Sequence, residues 1–264
     1  EDGTLRAIKA SSLQSVIFPS LPSGLMTRPT LVWLLNSKKS GEQSCEISYL
    51  TTGIHWHAEY VAVVNDKDTK LDLAGWVSVD NQSGATYEDA TLKLVAGDVN
   101  RVQPKREHLY RATAMAMEAD AGQFEEKSFF EYHLYTMQRP ATVKDRQVKQ
   151  VSLFPPQTAD VTKVYSYDGE RNGKKVNVIL ELENSKANGL GMPLPKGTVR
   201  VYKKDSDGAQ EFIGEDAIDH TPKDETVRLI MGNAFDIVGE RVVKNVKKIS
   251  KRSRQQTVEI TLRN

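Results

Sequence analysis

Residues 54–60 alternate strictly: Ile54, Trp56, Ala58 and Tyr60 are apolar, while His55, His57 and Glu59 lie between them. A period of two is the signature of a strand with one buried face. Asn65-Asp66-Lys67-Asp68 follows and reads as a turn, because Asn and Asp side chains bond their own backbone there. A second strand is predicted from Lys70 to Asp80. The same reading predicts strands at Leu31–Leu35 and Cys45–Leu50 around a Ser37–Gly41 turn. It continues through Ala90–Val95, Phe129–Met137, Gln147–Phe154, Val161–Tyr167 and Lys175–Glu183. Gly197–Lys203 enters a hairpin turn at Asp205-Ser206-Asp207-Gly208, and Phe212-Ile213, Thr226–Met231 and Phe235–Val238 come after it. Residues 103–123 have no period-two face and are expected to form a flexible insertion.

The fold class predicted is all-β: two immunoglobulin-like β-sandwich domains, 1–154 and 157–264, with the first strand of a possible third. Pro155-Pro156 is taken as the boundary, because proline stops ladder pairing. A repeated pattern supports a modular reading. Asn81, Asn184 and Asn264 are each preceded at two, four and six residues by Val79, Val77 and Gly75, by Leu182, Leu180 and Val178, and by Leu262, Ile260 and Val258. Each copy reads as a half-buried strand ending at Asn, which tolerates a left-handed turn. On this reading Thr257–Leu262 opens a further module and the native chain continues past Asn264.

Composition narrows function more than it defines it. With 36 Lys and Arg against 35 Asp and Glu, the net charge of +1 gives no global field for nucleic acid, which is not expected as a partner. No apolar run approaches a membrane span, so no transmembrane segment is expected. The single cysteine, Cys45, excludes an internal disulfide and reads as a small buried strand residue.

Three clusters carry candidate chemistry. His55-x-His57-x-Glu59 places two imidazoles and a carboxylate on one strand face, as a zinc-type site requires; the alternative is a solvated polar face opposite Trp56. Glu215, Asp216, Asp219, His220, Asp224 and Glu225 gather acids around one histidine, either as a site or as a solvated turn. Between Arg241 and Arg254, seven of fourteen residues are basic: a polyanion-binding patch or an exposed hairpin guarded by lysine. Asp205–Gly208 fails as a calcium loop, because its glycine stands fourth rather than sixth. No nucleophile-elbow, zinc-protease or phosphate-loop motif is present, and no cofactor is expected.

Several runs together resemble a bacterial family, domain of unknown function 4139, which includes mucoidy-inhibitor-A-like proteins. They include Ser48–Ile54 leading to Trp56 and Tyr60, then Leu73–Val77, Asn81–Tyr87, and Ala90 with Leu92–Val99. Further on, Glu131–Thr136, Lys149-Gln150, Leu194–Tyr202, Ile213–Asp216 and Asp219–Glu225 complete the match, which spans about Pro19 to Asn264. The resemblance implies an exported envelope protein, periplasmic or at the cell surface, with further sequence at both ends. It brings no activity and no catalytic residue. The expected role is non-enzymatic, in protein interaction or self-assembly; the alternative is a metal-dependent hydrolase or carbohydrate-binding module.

Alternation along nearly the whole chain sets a first test. Far-ultraviolet circular dichroism should show a β-dominated spectrum with helix below roughly 15%, whereas ordinary domains carry about 30–35%.

Overall fold

In the computed structural model the described residues are 30, 32–97, 124–205 and 207–264. The chain divides into two units, Glu1–Tyr49 and Leu50–Asn264. The described residues of the first unit form no strand, so the hairpin expected there is not found. Val32, Leu34, Leu35, Ile47 and Tyr49 are exposed. A short apolar run becomes a strand only when a ladder partner satisfies its backbone, and none is paired to it among the described residues. Cys45 is exposed rather than buried. The flexible insertion expected at 103–123 lies outside the described residues.

The second unit is all-β, as expected, and no helix occurs among the described residues. Its central sheet has five strands. β1 (Ile54–Val64) and β2 (Lys70–Asn81) form the predicted hairpin. After β2 come β3 (Tyr87–Ala90), β4 (Lys93–Ala96), β5 (Phe124–Phe129), β6 (Tyr132–Met137) and β7 (Ala141–Val143), before β8 (Gln147–Asp160) returns to pair with β2. After β9 (Thr162–Tyr167) and β10 (Lys175–Glu183), β11 (Gly197–Lys204) pairs parallel with β1, and β12 (Gln210–Ile218) closes the edge. The order is β12-β11-β1-β2-β8. β13 (Thr226–Lys248) and β14 (Arg254–Arg263) join β10 and β9 in a four-stranded sheet ordered β14-β13-β10-β9. β4-β6-β5 and β3-β7 are smaller sheets.

This topology corrects the expected boundary. β8 runs through Pro155-Pro156 without a break, and the central sheet joins strands from both sides of it. The prolines are accommodated because β8 is an edge strand and the β2–β8 register shifts on both sides of Gly75, opposite this stretch. Edges and bulges are where a residue without an N–H fits a sheet. Gly75 itself is required: a Cβ there would lie 2.5 Å from the Phe154 ring. Thr257–Leu262, expected to open a further module, instead lies in β14 and pairs with β13. The single strand expected at Phe129–Met137 is a tight hairpin, β5–β6, with Phe130 in the left-handed region at its turn.

Apolar alternation builds one large core, beside a small second cluster of Met137, Ala141 and Val151. Ala58, Tyr60, Ala62 and Val64 of β1 and Leu71, Leu73, Val77 and Val79 of β2 are buried with Val199 and Val201 of β11 and Leu229 of β13. Parallel entry of β11 needs Gly197, where a Cβ would meet the Ala58 carbonyl oxygen at 2.2 Å.

The β1–β2 turn forms as predicted: Asn65 Oδ1 accepts the amides of Thr69 and Lys70 at 2.8 and 3.1 Å. It also carries the main electrostatic clamp of the fold. Asp68 accepts hydrogen bonds from Lys163 on β9 and, at 2.6 Å, from Lys203 on β11. Burial pushes the Asp68 carboxyl upward, but the bonds and charges of the two lysines outweigh it and hold the group below the usual carboxylate range. The stability this contributes is present above the ordinary aspartate value and is lost as pH falls through the lowered one. Asp68→Asn should therefore cost about 1–2 kcal/mol at pH 7. The gap between variant and parent should close in urea titrations taken towards pH 3.

Candidate functional site

The three predicted clusters fare differently. His55 and His57 project from β1 on its exposed face, and Glu59, further along that face, is buried. The reason is the neighbour that alternation cannot reveal: β1 is central, and β11 covers it at Glu59, whose register partner is Thr198. Glu59 accepts hydrogen bonds from Ser78 Oγ (2.9 Å), Gln150 Nε2 (3.1 Å) and Arg200 Nη1 (3.2 Å). His57 Nε2 stands 4.0 Å from it. Among the described residues no three His, Cys, Asp or Glu side chains are placed to hold a metal ion. At the positions where a metal site was expected, His55, His57 and Glu59, the carboxylate is buried in a protein hydrogen-bond network while the imidazoles are exposed.

The acidic cluster disperses along β12 and the loop after it. Glu215 pairs with Arg200 at 3.5 Å, and Asp216 accepts the amides of Ala217 and Ile230. His220 alone reaches a cleft, together with His133, a histidine that spacing did not single out. The cleft encloses about 170 Å3. One wall is the strand end at Ala96-Gly97 with Glu131, His133 and Tyr135; the other is Pro193-Leu194-Pro195 with His220 and Pro222.

Both walls are fixed by residues that alternation or the Asn pattern had marked. Tyr60 and Tyr135 donate their hydroxyls to the Pro195 and Pro193 carbonyls at 2.7 and 2.8 Å. Burial raises both phenol pKa values, well above the ordinary value for Tyr60, so they stay protonated donors at neutral pH. Leu194 and Thr221 exchange backbone bonds at 2.9 Å. Beneath them, fully buried Asn184 donates to the Met192 and Pro222 carbonyls and accepts the Gly191 amide. Asn81 does the same at the end of β2: its amide reaches the Ala85, Val143 and Lys144 carbonyls, and its oxygen accepts Ser83. Two copies of the repeated signature are therefore buried staples where strands end; the third, Asn264, is exposed.

The cleft can hydrogen-bond a small polar ligand, and its described lining holds no activated nucleophile. His220 Nδ1 accepts the Lys196 amide at 3.2 Å, which leaves the proton of its neutral ring on Nε2. His133 Nδ1 lies 2.7 Å from Glu126 Oε1. Among the described residues no Ser or Cys lines the cleft, and the Thr221 hydroxyl donates to the Asp219 carbonyl. Four runs that carry the family resemblance contribute residues here although they are scattered in sequence: Ala96-Gly97, Glu131 with His133 and Tyr135, Leu194-Pro195, and His220–Pro222. The sequence matches no protein-family model, and no curated protein or solved structure matches it.

The basic run forms the exposed hairpin of β13 and β14. β13 is one 23-residue strand where two shorter ones were expected; Gly232, at φ 118°, and a register shift against β10 let it continue.

The tyrosine bonds give a test specific to the cleft. Tyr60→Phe should lower stability by about 1–2 kcal/mol, because the buried Pro195 carbonyl loses its donor. The raised phenol values also make parent stability fall as pH rises above about 10, where only the unfolded chain ionises readily. Removing Tyr60 should shallow that alkaline slope in guanidinium titrations.

Proposed function

We propose that this chain is a non-enzymatic protein of the bacterial cell envelope or surface, related to the family it resembles, acting in protein interaction or assembly. One observation carries this reading: the β13–β14 ribbon leaves an apolar strip and a strand edge without a partner among the described residues. Facing pairs in an antiparallel ladder share a side of the sheet. Gly239↔Leu262, Arg241↔Ile260, Val243↔Val258 and Val246↔Gln256 lie on one side, where Leu262, Ile260, Val243 and Val246 are exposed. β14 is the outermost strand of its sheet. From Gln255 to Leu262 it carries one charge, Glu259, and four β-branched residues. Natural edges are blunted by charge or proline, and an edge without them is a template for strand addition.

The hydrolase alternative loses its support with the dispersal of both predicted acid–histidine clusters. A bound sugar would need the cleft at His133 and His220, which offers few donors for its size.

The test compares two variants of the purified 264-residue chain. Val258→Lys with Ile260→Lys should abolish concentration-dependent self-association in sedimentation, or the capture of identified envelope proteins. Ala at His55, His57 and His220 should leave both unchanged. Loss in the histidine variant with folding intact would move the reading towards a ligand or catalytic site.

A further inference from the structure

Charge in this protein is balanced overall but segregated at one place. β10 accompanies β13 only as far as Val238, so residues 242–254 pair only within their own hairpin. At about 3.3 Å per residue, the seven residues from Val242 to Lys248 project the ribbon roughly 20 Å past that point. Its turn is closed by the Ile249 and Ser250 amides, which donate to the Ser253 carbonyl at 3.0 and 3.1 Å. This stretch carries Lys244, Lys247, Lys248, Lys251, Arg252 and Arg254, and no acidic residue. Glu259 neutralises Lys244 at 2.5 Å. The other five make no ion pair with an acidic side chain among the described residues.

Two details separate this tip from an ordinary lysine-guarded edge. Lys248 and Arg254 are direct cross-strand partners. Like charges so placed are destabilising unless an anion sits between or over them. Ile249 stands at the turn among these cations, 65% exposed, and Val246 is 53% exposed on the flank. Guarding an edge needs one or two charges and no apolar tip. A soluble polyanion would use the cations and leave Ile249 idle. A bilayer surface uses both, since headgroup phosphates meet the lysines while the apolar tip enters the interface.

We propose that the β13–β14 tip docks on anionic phospholipid surfaces, through Lys247, Lys248, Lys251, Arg252 and Arg254, with Ile249 inserted. This does not rest on the strand-edge reading, because the residues lie at the turn and the strand ends that flank it, outside the 255–262 stretch of edge. Each basic residue near such a surface strengthens partitioning about fivefold.

The experiment is flotation of the 264-residue chain with vesicles of phosphatidylcholine alone or mixed with phosphatidylglycerol. Binding is expected only to the mixed vesicles and should weaken as salt rises from about 0.1 to 0.5 M. Lys247→Glu, Lys248→Glu and Lys251→Glu together should reduce it at least roughly a hundredfold. Ile249→Ser, which preserves charge, should reduce it about tenfold while leaving retention on heparin unchanged. All these residues are exposed, and an unaltered circular dichroism spectrum verifies folding. Absence of binding to mixed vesicles, or binding indifferent to the triple substitution, overturns the proposal. Vesicle binding untouched by Ile249→Ser also overturns it, in favour of a soluble polyanion.

Discussion

The parallel pairing of β1 with β11 is the contact on which the rest of the unit depends. It joins residues 58–64 to 197–203, across more than half the chain. Such closure carries a large entropic cost before any contact rewards it. Three features offset it. Gly197 lets the strands approach. Tyr60 reaches past β11 to the Pro195 carbonyl, and Lys203 returns to Asp68 at the far end of the ladder. With β11 seated, β1 becomes a central strand, Glu59 is covered, and the Pro193–Pro195 segment is brought against Tyr135 to make the cleft.

This dependence explains what was legible in the sequence. Alternation is local, so β1, β2, β8 to β11 and the turns at Asn65 and Asp205 were readable from their own residues. The Asn pattern was readable too, and its physical meaning is a buried amide stapling loops at the ends of β2 and β10. Alternation also placed His55, His57 and Glu59 on one face correctly. It could not tell that β11 would cover one end of that face, so the carboxylate is buried with Arg200 while the histidines stay wet. Pro155-Pro156 misled for a related reason: proline forbids a central ladder position, yet β8 is an edge, and only the sheet order shows that.

The cleft was invisible for a stronger reason. His133 and His220 are 87 residues apart, on a small-sheet strand and in a loop. Neither belongs to a motif with metal or nucleophile spacing. What brings them together is the pair of tyrosine–carbonyl bonds and the buried Asn184, a scaffold in which every polar group already has a use. Glu59 is likewise held by three donors, with Gln150 Oε1 the buried polar atom of that network that has no partner. Asp68 fits the pattern, since its charge is shared between two lysines from two different sheets.

The exterior follows the opposite rule. Inside, charges are neutralised by partners from distant strands; along 242–254 cations accumulate with little to neutralise them, and two face each other directly. A hairpin that leaves its sheet loses the packing that would otherwise justify apolar side chains, yet Val246 and Ile249 remain. Retaining hydrophobes and unbalanced cations on a projecting, two-stranded element costs stability on both counts. A surface that supplied both anions and apolar contact, as in the docking proposed above, would offset both costs. The proposed docking site thus lies where self-neutralisation stops, not where reactive side chains gather.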